Sequence, residues 1–276
     1  MSTEELGEIR LRMDAPLGRF MTMFLVESSY NEPMISHPLI DEKISMPPVT
    51  SGSRQRLMSL LEKSLDCCNS TIISGRAGTG KTTLALDFAK NVGWPVAWYK
   101  VDAPEAEIGN FFQYLIASIQ KQRSNFGGEG LIRLAANTTP DRISELAEAF
   151  LYELVESESS PLLIVIDDLH LVFDSEWLVL FLRRVLPLLP PQVHVIVTSR
   201  TIPPAPLWRM RSKQTLSVIE ESTLAFTRHE TVELFESYGL TSEQAAVALD
   251  HTHGRALALT RFAESLIDKD QVSSAA

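Results

Sequence analysis

The chain holds 276 residues, with 25 basic against 35 acidic side chains and a net charge of −10. Hydrophobic residues make up 45%, which excludes wholesale disorder, and the length suits one large domain or a domain with a small appendage. The acidic balance excludes a nucleic-acid-binding surface over the whole chain, though a local basic patch stays open.

Residues 1–45 differ from the rest: acid-rich, several methionines, no sustained period. They read as a flexible extension, with a short strand at 20–26 as the second reading. Glu4, Glu5 and Glu8 are wrong for a secretory signal, and the apolar runs at 20–26 and 177–182 are too short to span a bilayer. A cytosolic protein is expected. Pro47-Pro48 and Ser51-Gly52-Ser53 break the chain. Arg54 to Leu65 then reads as a helix, with Leu57, Leu60, Leu61 and Leu65 on one face. Cys67 and Cys68 are adjacent, poor geometry for a disulfide, and read as small residues closing that helix.

From there strands and helices alternate. Thr71-Ile72-Ile73 is a strand, Lys81 to Asn91 a helix, Pro95 to Val101 a strand and Glu105 to Gln122 a helix. The stretch 124–138, with Gly127, Gly128 and Gly130, reads as a loop. Asp141 to Glu156 is a helix opened by Thr139-Pro140. The unbroken run Leu162-Leu163-Ile164-Val165-Ile166 is a strand buried on both faces, as in parallel sheets. Glu176 to Leu189 is a helix, 194–198 a strand, and Thr215 to Ile219 the last strand. Capping boxes at Thr227–Glu230 and Thr241–Gln244, and a third helix over Ala256 to Ile267, make a small helical subdomain near 222–270. The fold class is α/β with a parallel sheet followed by that subdomain. The organisation expected is an extension over 1–45, a core over 46–221 and a helical lid and tail over 222–276.

Three stretches carry chemistry. Gly75-Arg76-Ala77-Gly78-Thr79-Gly80-Lys81-Thr82-Thr83 satisfies G-x-x-x-x-G-K-[ST], between a strand and a helix. Glycines let successive N–H groups point into one concavity, and with the helix N-terminus they hold phosphates. Lys81 reaches the β- and γ-phosphates, and the Thr82 hydroxyl is a Mg²⁺ ligand. Asp167-Asp168 closes the 162–166 strand at the ligand-facing edge of the sheet. Asp167 is read as the Mg²⁺ carboxylate and Asp168 as the group that orients attacking water, with helix capping as the alternative for either. Arg200, after Thr198-Ser199, can reach the γ-phosphate and stabilise charge; a surface role is the alternative. His170 either orients the Asp pair, couples the site to the rest of the chain, or is an ordinary loop residue. Asp250, His251 and His253 lack the spacing and company of a metal site.

With these in place the chain resembles the STAND class of P-loop ATPases, and within it the ATPase module of MalT-like, large LuxR-type transcriptional regulators. The likeness rests on Asp167-Asp168-Leu169-His170, similar to a "DD-x-H" motif, and on Thr198-Ser199-Arg200, similar to a "TSR" strand end. Leu207 to Arg211 and Leu224 to Glu230 are similar to "L-x-R-x-R" and "L-x-F-T-x-x-E". Trp98-Tyr99 with Asp102, and Phe112, Tyr114, Leu115 and Ile119, match the second strand and its helix. The resemblance spans about Pro47 to Leu266. It implies a three-layer P-loop sandwich of the ASCE type, with the 193–198 strand between the two nucleotide-binding strands. It also implies ATP and ADP rather than GTP, and a site for Arg54 near the adenine entry. Gly254-Arg255-Ala256 falls where related ATPases carry G-x-P, with Ala256 in place of proline. Full-length members continue into a winged helix, a helical-repeat sensor and a DNA-binding helix-turn-helix. The chain ends at Ala276, so direct DNA binding is not carried over.

The expected function is an ATP-binding, slowly hydrolysing signal-transduction switch, read by a protein partner or by self-association through the core. Two alternatives stand beside it: a nucleotide-held scaffold without turnover, and another P-loop enzyme such as a small-molecule kinase. The N-K-x-D motif of GTPases is missing. Arg183-Arg184, the only candidates for a kinase lid, read more simply as a solvated helix face.

Overall fold

A computed structural model describes residues 39–48, 54–204 and 207–274, with side chains undescribed at 208 and 269–274. The strand considered at 20–26 lies outside these residues. In chain order the elements are α1 (Gln55–Cys67), β1 (Ser70–Ser74), α2 (Lys81–Asn91), β2 (Val96–Lys100), α3 (Ile108–Gln120), α4 (Glu129–Ala136) and α5 (Ile143–Glu156). They continue with β3 (Leu162–Asp167), α6 (Glu176–Val185), β4 (Val193–Ser199), α7 (Trp208–Ser212), β5 (Leu216–Ile219), α8 (Glu221–Leu224), α9 (Arg228–Ser237), α10 (Ser242–Thr252) and α11 (Ala256–Ser274).

The five strands form one all-parallel sheet in the order β2-β3-β4-β1-β5. β4 therefore lies between β1 and β3, the order the resemblance implied. Successive side chains leave a strand on opposite faces, and the apolar runs divide accordingly. Ile72, Tyr99, Leu162, Ile164, Ile166, Val195 and Val197 enter one core with α3, α4, α5 and α6. Ile73, Trp98, Leu163, Val165 and Ile196 enter the other with Leu57, Leu61, Leu84 and Phe88 of α1 and α2. Both faces are covered, which is why the strands carry no polar alternation. A third cluster, Phe235, Leu240, Ala245, Ala248, Leu259 and Ala263, joins α9, α10 and α11. Among the described residues no helix is long and apolar enough to cross a membrane.

Several expected boundaries move. The stretch 124–138 is not a loop throughout, since α4 occupies 129–136 and buries Leu131 and Ala135 against the first core. Glu105 does not open α3. Asp102 and Glu105 form a capping box around a 3-10 turn at Ala103–Ala106, and α3 starts afresh at Ile108. The helix expected to reach Leu189 ends at Val185 and tightens into a 3-10 turn over Leu186–Leu188, because Pro187 cannot continue the hydrogen-bond ladder. α11 runs on past Ile267 to Ser274. Asp41–Ile44, assigned from sequence to the flexible extension, is a 3-10 turn packed on the core. Ile44 is buried there, and the Lys43 ammonium donates to Glu105 at 2.6 Å. Cys67 and Cys68 are free thiols at the end of α1, whose last N–H, on Cys68, reaches the Ser64 carbonyl at 2.8 Å.

One buried polar chain crosses the bottom of the sheet. His194 Nδ1 is 3.1 Å from the Cys68 carbonyl, which can only accept, so Nδ1 carries the proton. Nε2 then accepts from Thr71 Oγ1 at 2.9 Å, and Thr71 in turn accepts from Ser64 Oγ at 2.6 Å. Burial pulls the His194 pKa down to about 4. An unfolded histidine binds its proton near pH 6.5, so between those values the unfolded chain holds more protons and stability rises with pH. The contribution is complete above about pH 6.5 and is lost as pH falls toward 4, by about 3 kcal/mol. Urea unfolding from pH 7 to 5 is expected to show this slope in the wild type and a flatter one in His194→Gln. Equal slopes would remove His194 as the cause.

Candidate functional site

The C-terminal edge of the sheet gathers the residues singled out from sequence. Between β1 and α2 the chain turns through Gly78 and Gly80, at φ +78° and +89°, the left-handed region that glycine enters without strain. At Gly78 a side chain would also meet Leu257 Cβ at 2.9 Å. The turn ends in the first residue of α2, Lys81, which is buried and whose Nζ donates to the Arg76 carbonyl at 3.1 Å. Burial pulls the Lys81 pKa below its ordinary value, while the Asp168 and Asp167 carboxylates pull it back up. Gly75 joins the loop to β4 through its N–H on the Ser199 carbonyl at 3.1 Å. Thr79 Oγ1 closes the loop on the Arg76 carbonyl at 2.9 Å. Ala77 is exposed, and Thr83 is exposed on the first turn of α2.

Asp167 ends β3 and is 1% exposed. Its Oδ1 accepts from Thr82 Oγ1 at 2.9 Å and from Thr198 Oγ1 at 2.5 Å. Burial raises its pKa; the Thr198 and Thr82 hydroxyls oppose that rise, and neighbouring Asp168 adds to it. Thr82 and Asp167, each read separately from sequence as a Mg²⁺ ligand, are thus brought together. Thr198 does more than the sequence suggested, because its hydroxyl also accepts the Asp168 N–H at 2.9 Å and so ties both acids to β4.

Asp168 is one of three non-glycine residues with positive φ among those described, at 59°. Such a conformation costs energy in a residue with a side chain, and it concentrates at functional sites. His170 follows in a 3-10 turn at Leu169–Val172. Arg200 is exposed just past β4, and its charge reaches both Lys81 and His170. The loop, the two acids and Arg200 thus share one edge of the sheet.

Arg54 immediately precedes α1. Its guanidinium donates to the Leu224 carbonyl at 2.8 Å and lies over the Phe226 ring at 4.2 Å, joining α1 to the start of the helical subdomain. Burial lowers its pKa to about 10. Among the described residues it makes no hydrogen bond to the glycine-rich loop. Neighbouring Arg56 clasps Glu230 and the Thr223 and Ala225 carbonyls. His251 stacks on Phe262 at 6.1 Å and His253 caps α10 in the left-handed conformation. Arg184 pairs with Glu148 on the solvated side of α6.

The helical segments close over the glycine-rich loop, and sequence reasoning missed how. The Leu257 N–H donates to the Gly78 carbonyl at 3.0 Å, and the Arg255 guanidinium donates to the Ala77 carbonyl. Glu221 of α8 accepts from the Arg76 N–H at 2.8 Å and from Arg76 Nε at 2.7 Å, and these bonds hold its carboxyl below the usual range. Between these contacts lies a cavity of about 250 Å³ lined by Arg76, Thr79, Glu221, Leu224, Gly254 and Arg255 among others. The only sequence signal was the G-R-A stretch at 254–256.

The donor set suits a phosphate chain and a hard cation. The left-handed glycines turn backbone N–H groups toward one point at the start of α2. The Thr82 hydroxyl and Asp167 carboxylate are adjacent oxygen ligands of the kind Mg²⁺ takes.

Comparison with known proteins agrees with this geometry. A family model described as an AAA ATPase domain matches residues 52–198. The HTH-type transcriptional regulator MalT of Serratia proteamaculans (strain 568) is 28% identical over 237 residues, covering 82% of this chain and 25% of that protein. MalT of Yersinia pestis (strain Pestoides F) is 30% identical over 205 residues, covering 72% and 22%. The chain thus spans about a quarter of the length of the curated relatives it matches. Among solved structures, the Signal Transduction ATPase with Numerous Domains protein with a tetratricopeptide repeat sensor from Pyrococcus horikoshii aligns with TM-score 0.53. It is 24% identical, covering 79% of this chain and 30% of that one, and speaks to the fold.

Proposed function

We propose that this chain, which belongs to the AAA ATPase domain family, binds ATP at residues 75–83 and hydrolyses it slowly as a signal-transduction switch of the MalT-like type. The observation that carries the reading is the junction of Thr82, Asp167 and Thr198 beside Lys81. A buried carboxylate whose pKa burial raises, at the ligand-facing edge of a parallel sheet, supports a functional site there.

In this reading the N–H groups of the glycine-rich loop hold the β- and γ-phosphates, and Lys81 leaves the Arg76 carbonyl to pair with them. Thr82 and Asp167 are the ligands for Mg²⁺, which when bound neutralises phosphate charge. Asp168 orients the attacking water for in-line displacement, and Arg200 faces the charge that develops on the γ-phosphate. The nucleotide base sits toward the cavity between the loop and residues 254–255. Arg54 acts indirectly, by fixing the 224–226 segment beside that cavity.

The switch follows from what the loop already touches. Arg76–Glu221, Arg255 on Ala77 and Leu257 on Gly78 are contacts from α8 and α11 to the same backbone that would hold phosphate. Nucleotide state therefore biases how the helical segments dock, and a protein partner or a second copy of the core reads that difference. The chain acts in the cytoplasm on this reading, and no direct nucleic-acid contact is assigned to it.

Binding of ATP and ADP with Mg²⁺, and phosphate release in the same sample, test the proposal. Binding of both with slow release is the expected outcome. Binding without release would favour the nucleotide-held scaffold, and no binding would overturn the site.

A further inference from the structure

The glycines of residues 75–83 serve different ends. Gly78 and Gly80 take left-handed backbone, and Gly75 does not. What Gly75 supplies is room. A side chain there would meet Thr79 Oγ1 at 3.0 Å, Glu221 Cβ at 3.2 Å and Leu224 Cδ1 at 3.3 Å. Its bare backbone is what lets α8 come against the start of the loop.

At that approach the backbone of Arg76 is held from two sides. Its carbonyl accepts from Lys81 Nζ at 3.1 Å and from Thr79 Oγ1 at 2.9 Å, both within the glycine-rich stretch. Its N–H goes the other way, to Glu221 Oε2 at 2.8 Å. Glu221 also pairs with the Arg76 guanidinium at 2.6 Å, but that side chain is 74% exposed, where water and salt screen the pair. The two bonds therefore differ in worth. The N–H bond is charge-assisted and acts on the loop backbone itself. In the ATP-bound state described above, Lys81 turns to phosphate and the Arg76 carbonyl loses one of its two donors. Arg76 then keeps its direction through Thr79 on one side and Glu221 on the other.

We propose that Glu221 is a positioning residue for the nucleotide loop: by taking the Arg76 N–H it presets the backbone that receives phosphate, and so ties nucleotide affinity to the docking of α8. The linkage is reciprocal. Nucleotide strengthens the Glu221 clasp by the same factor by which the clasp strengthens nucleotide binding. The inference rests on the ATP-binding reading above and assigns its coupling to one carboxylate.

Nucleotide titration and hydrogen exchange at the Arg76 amide test it in the wild type, Glu221→Ala and Glu221→Gln. A third of the Glu221 side chain is exposed, so neither change opens a core. Glu221→Ala is expected to weaken ATP and ADP alike by about 10-fold, with the loss falling on affinity rather than on kcat. Glu221→Gln keeps an oxygen for the Arg76 N–H and gives up the ion pair, so it recovers most of the affinity. The Arg76 amide exchanges slowly in the nucleotide-free wild type and in Glu221→Gln, and fast in Glu221→Ala. Nucleotide slows it further in the wild type. Unchanged affinity in Glu221→Ala overturns the proposal, as does Arg76 exchange that nucleotide does not slow. A Glu221→Gln as weak as Glu221→Ala overturns it too, since the exposed ion pair is then the active element. A wild type that binds neither nucleotide defeats the ATP-binding reading instead, and the exchange rates then decide whether Glu221 holds the loop.

Discussion

Lys81→Ala is expected to weaken Mg-ATP binding by about 10²-fold or more, measured by titration with a fluorescent or calorimetric readout. The ammonium is buried at the first turn of α2, and burial has already lowered its pKa. That stripped hydration is what makes its pairing with phosphate strong, since the charge meets its partner in a low-dielectric site. The fold loses little in the variant. Lys81 makes one hydrogen bond, to the Arg76 carbonyl, and Thr79 Oγ1 reaches the same oxygen. Thermal unfolding of the nucleotide-free variant should therefore stay near that of the wild type, while the stabilisation that ATP gives the wild type disappears. Unchanged ATP affinity would remove residues 75–83 as the phosphate site.

How much of this was legible in the sequence depended on the range of the interaction. β3 read directly, because a strand buried on both faces carries a near-continuous apolar run, and Leu162 to Ile166 is one. The glycine-rich loop read directly too, since its left-handed turns at 78 and 80 leave glycine as the favoured residue. α4 did not. Gly127, Gly128 and Gly130 argued for a loop, yet Leu131, Leu134 and Ala135 carry helical spacing, and burial against α3 and α5 outweighs the glycine cost. The 3-10 turn at 41–44 was equally hidden: its anchor is the Lys43–Glu105 pair, 62 positions apart. The same holds in the site. Asp167 and Thr82 were each read as a Mg²⁺ ligand from its own motif, but their contact, the double role of Thr198, the Glu221 clasp on Arg76 and the approach of Leu257 to Gly78 are tertiary facts. Arg54 is another tertiary case: its hydrogen bond to the Leu224 carbonyl sets it on the segment that frames the cavity, 170 positions along the chain.

Asp168→Asn should separate binding from turnover. Asparagine keeps the shape of aspartate and tolerates the left-handed backbone at φ 59°, so neither the Thr198 contact nor the 169–172 turn is strained. The charge is lost, and with it the acceptor strength that aligns a water. ATP affinity is expected to hold or to rise slightly, because a negative group beside the phosphates has gone. Phosphate release is expected to fall by about 10²- to 10⁴-fold, the usual worth of a positioned acid–base group. Asp167→Asn should behave otherwise: that carboxylate is fastened to Thr82, so its loss should weaken Mg²⁺ dependence and binding together. Full activity in Asp168→Asn would end its role toward water. A joint loss of affinity and rate would make it a second cation ligand, and the left-handed backbone at 168 would then serve to bring two carboxylates to one ion rather than one to the ion and one to the water.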